Sequence, residues 1–499
     1  VRYASYAFPL NESPGLAKEN TMPTNAKRLI ALFIFCAVII PAYGAPVPVE
    51  IARRVSTNWF AERSGTQVSE LALERYDRTG SSEEPLFYIF NTRPEGFVLV
   101  AAENSVVPIL GYGFDHAFSE SNHPPQFDAM LESFEEQIRF AKENSLRADT
   151  RIETQWSRLS LPTPEFDPVE DIRDVSPLMA HNWNQNWPWN AYCPADPNGP
   201  GDHAYAGCAA IAIAQVMKYW NHPAQGEGQH SYYHPDYGTQ SANFGATTYD
   251  WTSMNNNSAT NASKTLIYHC GVALDMDYGP NGSGAYPSDM VPVLKQYFRY
   301  CNEASFKWKS YYSNSTWEGM IRSELDNGRP LAYCGYGTGG HGFNLDGYQG
   351  TSYFHFNWGW SGYYNGYYYL NDLTPGGYNF TDGQGGSFDL YPDPSSDTTP
   401  PSAIADLSSE QSGSDIILSW SPATDNIGVV GYWVYRGTGF FANMSAFHYL
   451  SGAETLTYTA QNACGDPNTN YVFDVRATDA ADNEANASNR VGAFDFAAP

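Results

Sequence analysis

The chain is poor in charge, and poorest in positive charge. Only 16% of its residues are charged, against ~25% in an average globular protein. Its 54 acids stand against 27 bases, for a net charge of −27. A field of that sign repels phosphate backbones and anionic membranes, which excludes nucleic acid as a partner. Cysteine is scarce as well. The seven, Cys36, Cys193, Cys208, Cys270, Cys301, Cys334 and Cys464, are too few for a disulfide-stapled scaffold and lack the paired C-x-x-C spacing of zinc sites. No H-E-x-x-H occurs, His222, His230 and His234 fall in a polar stretch, and the acidic DMDYG lacks the carboxylate spacing of a calcium loop. No metal and no cofactor is therefore expected. The apolar run from Leu29 to Ile40 has 12 residues, short of the ~20 that cross a bilayer. Internal repeats and low-complexity tracts are also missing.

Aromatic side chains are abundant, with 13 Trp, 36 Tyr and 27 Phe, enough to rule out wholesale disorder. At ~150 residues per domain, 499 residues leave room for about three domains. From Met22 the order is basic (Lys27, Arg28), then apolar (Leu29 to Ile40), then small (Ala42, Gly44), which is the layout of a secretory signal over 22–44. Residues 1–21 then lie upstream of the expected start. No lipid anchor is expected at Cys36, because Phe35 stands where a small residue is needed. Export would end in the medium, the periplasm or at the cell surface. No sorting signal follows Phe496, so the chain is either cut short there or released.

Between Pro85 and Phe118 short apolar runs are broken by turn-forming residues, which predicts a small antiparallel sheet. After Pro124 and Pro125, the residues Phe127, Met130, Leu131, Phe134, Ile138 and Phe140 fall near helical spacing. Residues 45 to about 150 thus read as one small α+β unit. A Pro-rich acidic linker follows between Leu161 and Pro177, the kind of exposed segment that proteases cut. A second boundary, rich in Pro, Ser and Asp, lies at Pro392 to Leu407. Beyond it IILSW, VVGYWVYRG, LTYTA and YVFDVRATD alternate as strands of an all-β sandwich. Trp420 suits its core and Tyr471 a tyrosine corner. The span 398–495 resembles a fibronectin type III domain, a resemblance that by itself names no ligand.

The chemistry lies between these boundaries. Gly207 and Cys208 open GCAAIAIAQVMKYWNHP, which reads as a buried helix with Cys208 in its first turn. There the free N–H groups and the helix dipole stabilise a thiolate. The commoner fate of such a cysteine is structural burial, so other residues must decide. His341 follows 133 positions later, flanked by Gly339, Gly340 and Gly342, and glycines let a substrate backbone come close. GFNLDGY and SYFHFNW predict a hairpin turning at Gln349 to Thr351. Positions 341 and 357 are symmetric about 349, which predicts that His341 and Asn357 face each other within about one register step. An asparagine there fixes the imidazole tautomer that presents Nε2 to a thiol, and Trp358 would shield that bond. Of the thirty residues from His341 to Leu370 twelve are aromatic, so most of them must be packing.

GCAAIAIAQVMKYWNHP, DMDYGPNGSGA, GHGFNLDGY and HFNWGWSGYYNGYYYL, in that order, resemble the streptopain family of bacterial cysteine peptidases, a branch of the papain-like fold. The resemblance spans most of 175–390, and the preceding unit resembles the family's inhibitory propeptide. Ala209 follows the cysteine where papain relatives carry an aromatic. The resemblance implies an α+β, papain-like peptidase domain over 175–392, preceded by a propeptide over 45–174 and followed by the sandwich. It implies Cys208 as nucleophile and His341 as general base, with Asn357 and Trp358 in support. An oxyanion needs fixed donors worth ~3 kcal/mol each. One is the Cys208 N–H; for the other, Gln185 in NWNQNW matches the family's W-N-Q segment, with Asn182, Asn184 and Asn186 as weaker candidates. The expected activity is a secreted cysteine endopeptidase made as a zymogen, acting on proteins or peptides and held by its own propeptide. A non-catalytic adhesin on the same fold is the rival, and an amidase or transglutaminase-like acyl transfer is a third reading.

Overall fold

A computed structural model describes residues 44–65, 71–72, 85–92, 95–119, 123–162, 174–335, 341–374, 383–425, 427–439, 443–453, 455–464 and 471–492. The expected signal, apart from Gly44, lies outside these residues, as do most of the Pro-rich linker, Gly339, Gly340 and Phe496. In the N-terminal part come α1 (Val49–Ser64), β1 (Leu71–Ala72), β2 (Phe87–Thr92), β3 (Phe97–Ala101), β4 (Ile109–Gly113), α2 (Pro125–Glu143) and α3 (Thr150–Leu159). The middle holds α4 (Cys208–Trp220), β5 (His230–His234), β6 (Gly238–Ala242), α5 (Asn261–Ala273), α6 (Met290–Tyr297), β7 (Ser305–Trp308), α7 (Asn314–Asp326), β8 (Leu331–Gly335), β9 (His341–Gln349), β10 (Tyr353–Asn357), β11 (Gly366–Tyr369) and β12 (Gly385–Phe388). The last part is all β: β13 (Ser408–Ser412), β14 (Asp415–Ser419), β15 (Val429–Thr438), β16 (Ser445–Ser451), β17 (Thr457–Ala460) and β18 (Tyr471–Asp479).

The predicted N-terminal sheet and helix are present, but they do not form a separate unit. Strand β4 pairs with β11, Tyr367 opposite Tyr112 and Tyr368 opposite Gly111. One ten-stranded sheet thereby runs β1-β2-β3-β4-β11-β10-β9-β8-β12-β7 through both parts. A strand edge left open on either part is satisfied by the other. A single apolar cluster likewise holds Phe127 and Phe134 from α2 together with Phe343, Phe356, Trp358 and Tyr368 from the β9–β11 region. Helix α2 begins with Pro125 in its first turn and buries Phe127, Met130, Leu131, Phe134 and Ile138. Phe127 stacks on Tyr364 at 4.6 Å, and burying a ring of that size contributes about 1.5–3 kcal/mol. Helices α1 and α3, which periodicity did not single out, cover the same sheet.

Helix α4 buries every residue from Ala209 to Met217 and lies in a second apolar cluster with α5 and α6. It stops at Asn221, whose φ of 47° is left-handed. The C-terminal part forms two three-stranded sheets, β13-β14-β17 and β16-β15-β18, around their own core. Trp420 meets Tyr432 edge to face at 5.5 Å, as a core tryptophan should. The Tyr471 ring lies under the Arg436 guanidinium, and residues 465–470, to which a tyrosine-corner hydroxyl would bond, lie outside the described residues. Tyr432 in the same core donates its hydroxyl to Ala453 O at 3.1 Å. Among the described residues no helix is long and apolar enough to cross a membrane.

Candidate active site

Cys208 is the first residue of α4, preceded by Gly207 at φ 90°. That conformation favours glycine, and a Cβ there would also strike the Met276 sulfur at 2.6 Å. The residues between Cys208 and Gly342 are folded back so that the Gly342 N–H donates to Cys208 Sγ at 3.2 Å. This contact sets the start of β9 directly on the first turn of α4. A Cβ on Gly342 would lie 3.1 Å from Ala209 Cα and 3.2 Å from the Cys208 carbonyl carbon. The glycine expected to admit substrate therefore admits the nucleophile's own helix.

Burial pushes the Cys208 thiol up, against the pull of N–H groups from Gly342, Ala209 and Cys208 itself. Burial pushes the neighbouring His341 imidazole down. Both shifts favour the neutral thiol and neutral imidazole over an ion pair. Among the described residues His341 makes no hydrogen bond to Cys208 or to Asn357.

The predicted hairpin exists, but its register differs. Strands β9 and β10 pair Gln349 with Tyr353, and a bulge at Asp346 shifts the ladder so that Asn357 lies opposite Asn344. Asn357 therefore does not face His341 across the ladder, and the one-step expectation is corrected to three residues. The loop falls one position later than predicted and centres the ladder on Thr351, which by itself would set Asn357 opposite Leu345; the extra residue at Asp346 takes one residue back, leaving Asn344 as the partner. Asp346 is held there by His355, at 2.6 Å, and by the Met179 N–H, at 3.0 Å.

Asn357 is engaged elsewhere. Its Oδ1 accepts from Gly359 N at 3.1 Å and from Gln215 Nε2 at 3.3 Å. Its Nδ2 donates to His181 O at 3.0 Å. Trp358, on the other face, donates from Nε1 to Tyr364 O at 2.9 Å and packs on Phe343 at 4.9 Å and Phe127 at 5.8 Å. Its ring does not shield an Asn357–His341 bond; it faces α2. Its carbonyl accepts from Gln126 Nε2 of that helix at 2.6 Å.

Gln185 is buried near Cys208. Its carbonyl accepts from Ala206 N at 2.9 Å, two residues before Cys208, and its side-chain amide makes no hydrogen bond among the described residues. The preceding Asn184 bridges to Trp360. Asn184 and Asn186, with Tyr205, Trp360, Tyr363 and Tyr364, line a cavity of about 600 Å³ closed on one side by Ser119, His123 and Pro125. The Asn182 amide is taken up by Asn257 and Asn365. Residues that the sequence reading missed are Gln215, Asn344 and His181, all buried. A glutamine in an otherwise apolar helix was the visible signal. The one set of three carboxylates converging within 4.8 Å among the described residues, Asp397, Asp425 and Asp479, belongs to the C-terminal part and not to this site. Cys193, Cys208, Cys270, Cys301 and Cys334 are free thiols.

This arrangement meets a consistent set of relatives. Residues 183–368 match the peptidase C10 family, and residues 44–138 match the Spi protease inhibitor. Streptopain of Streptococcus pyogenes is 30% identical over 354 residues, covering 66% of this chain and 85% of that one. The chain belongs to the peptidase C10 family. It is a thiol peptidase carrying an inhibitor-like domain ahead of its catalytic part. The thiol protease/hemagglutinin PrtT of Porphyromonas gingivalis is 31% identical over 375 residues, 72% of this peptidase, which spans 42% of PrtT's own length. The structure of a prointerpain A fragment from Prevotella intermedia is 32% identical, with a TM-score of 0.54, covering 64% of this chain and 99% of the fragment. That proenzyme likeness agrees with the sheet shared between the inhibitor-like and catalytic parts.

Proposed function

We propose that the peptidase is a secreted endopeptidase in which Cys208, His341, Asn357 and Gln185 carry the reaction. The observation that supports this most is the Gly342 N–H on Cys208 Sγ, which brings His341, one residue earlier, to the head of α4. The Cys208 thiol passes its proton to His341 Nε2 and the thiolate attacks a peptide carbonyl. The oxyanion is met by the Cys208 N–H at the head of α4 and by the Gln185 amide, which is buried and has no other hydrogen bond among the described residues to give up. His341 returns the proton to the leaving amine, freeing one product and leaving a thioester. It then takes a proton from water, whose oxygen attacks the thioester, and the thiol is restored with the second product, a carboxylic acid. Asn357 orients the imidazole, and Trp358 supports it only through its packing on Phe343 of β9.

In the propeptide-bound form the thiol is pushed up and the imidazole down, so the enzyme is held without its reactive ion pair. Residues 45–174 act as that propeptide and 175–392 as the catalytic domain. Self-cleavage in the linker removes the wall made by α2 and β4. Residues 22–44 direct export to the medium, periplasm or cell surface, and 398–495 form a fibronectin type III-like module. The acidic surface leaves protein and peptide chains, not nucleic acid, as partners. The test is Cys208→Ala together with labelling by a thiol-directed epoxide. The variant should remain an uncleaved precursor inactive on casein, and the label should map to Cys208. Maturation of the variant on its own, or labelling elsewhere, overturns the assignment.

A further inference from the structure

We infer that Gln215 is a positioning residue for the reaction, acting through Asn357; this rests on the reading of Asn357 given above. Gln215 lies seven residues after Cys208 on α4, two helical turns, which places it ~10.5 Å along the axis on nearly the same face. Every residue between them is Ala or Ile, and Gln215 is fully buried. A buried amide in such a helix is unfavourable unless all its groups are paired.

The pairing has a direction. The Trp183 N–H donates to Gln215 Oε1 at 3.0 Å, so the Gln215 NH2 must face the sheet. It donates to Asn344 Oδ1 at 2.9 Å on β9 and to Asn357 Oδ1 at 3.3 Å at the end of β10. Asn344 returns a bond to α4, Nδ2 to Ala212 O at 2.9 Å. Asn357 Nδ2 is held by His181 O at 3.0 Å. The His181 ring donates in turn to Gln215 O at 2.8 Å, its imidazole pushed down by burial to about 4 and therefore neutral.

A turned-over Asn357 amide would set N–H groups against those of Gln215 and Gly359, and a carbonyl against that of His181. Gln215 therefore holds the Asn357 oxygen, the atom an imidazole Nδ1–H requires, in place relative to the helix that carries the nucleophile. The same side chain ties β9, on which His341 is the first residue, to that helix. No other side chain among the described residues is hydrogen-bonded from α4 to both β9 and β10.

The test uses the full chain of Gln215→Met, Asn357→Ala and the double variant, each processed with a trace of wild-type enzyme. Two quantities are read: kcat and KM on a peptide, and the pH dependence of Cys208 alkylation by iodoacetamide. Gln215→Met should lower kcat by up to about a hundredfold, the scale of a misplaced catalytic group, with KM little changed. It should move the onset of alkylation to higher pH, as Asn357→Ala does, and add nothing to the Asn357→Ala loss when combined. An unmoved alkylation profile, or losses that multiply in the double variant, overturns the inference and leaves Gln215 a packing residue. Should Gln215→Met fail to fold, Gln215→Glu keeps the volume and the Trp183 contact but sets an oxygen against Asn357 Oδ1. It should lose kcat when ionised and regain it on acidification; equal loss at every pH overturns the inference. A normal Asn357→Ala sinks the reading of Asn357 itself, whereas an impaired Asn357→Ala beside a normal Gln215→Met sinks only the role of Gln215.

Discussion

Replacing Gly342 by alanine tests whether the contact between β9 and the head of α4 sets the catalytic geometry. The added Cβ would lie 3.1 Å from Ala209 Cα, 3.1 Å from Ala209 N and 3.2 Å from the Cys208 carbonyl carbon. Relaxed carbon contacts begin near 3.5 Å, so β9 must withdraw by about 0.4 Å. All three atoms are backbone in the first turn of a buried helix, and none can rotate aside. Overpacking of this kind costs about 1–3 kcal/mol of stability. The same withdrawal stretches the 3.2 Å bond from Gly342 N to Cys208 Sγ and carries His341 with it. A misplacement of 1 Å costs about a hundredfold in rate, so 0.4 Å should lower kcat/KM on the order of fivefold to tenfold. Gly347→Ala on the same strand is the control. Its Cβ would meet Val175 O at 2.7 Å and Pro177 N at 3.1 Å, a clash at least as severe but away from Cys208. Urea midpoints and kcat/KM of the processed enzymes, measured well below either midpoint, separate the two effects. Both variants should lose stability and only Gly342→Ala should lose activity. Equal activity in the two would refute the claim that this contact sets the site.

Two further outcomes follow from buried groups. Gln126→Ala leaves the buried Trp358 carbonyl without its 2.6 Å donor, a loss of about 1–3 kcal/mol. That weakens the hold of α2 on the catalytic part roughly fivefold to a hundredfold, so self-cleavage of the full chain should accelerate; an unchanged rate contradicts it. Burial pushes His181, His222 and His269 each down to about 4, below the ~6.5 of an exposed imidazole. The unfolded chain therefore binds the protons first. Stability is fully present above about pH 6.5 and falls as pH drops towards 4, by up to roughly 3 kcal/mol per histidine. Glu103, Glu318 and Glu324 are raised by burial and act in the opposite direction, but by smaller shifts. A urea midpoint that stays flat between pH 6.5 and 4.5 would count against these three burials.

Much of the peptidase was legible in the chain before folding. Spacing that depends on the nearest few residues survived: the apolar helix headed by Cys208, the helix begun at Pro125, the strands of the C-terminal sandwich and the hairpin joining His341 to Asn357. The family motifs also named Cys208, at the head of α4, and Asn357, which meets that helix through Gln215. These features are local, set by 3.6- and 2-residue periods and by turn residues, and they need no knowledge of what lies across the core. Register was not legible, because the loop falls later than its turn residues suggest, and one bulged residue, Asp346, then shifts every pairing beyond it, stabilised by His355 and Met179. Nor was the fusion of propeptide and catalytic domain into one sheet, since an open strand edge on β4 looks the same in sequence whether water or β11 covers it. The sequence alone nominated the residues proposed for the chemistry, Cys208, His341, Asn357 and Gln185. Only the tertiary structure decided how they stand: a nucleophile pressed against Gly342, an imidazole not yet bonded to its asparagine, and a buried glutamine holding that asparagine to the helix, because burial and long-range pairing set those distances.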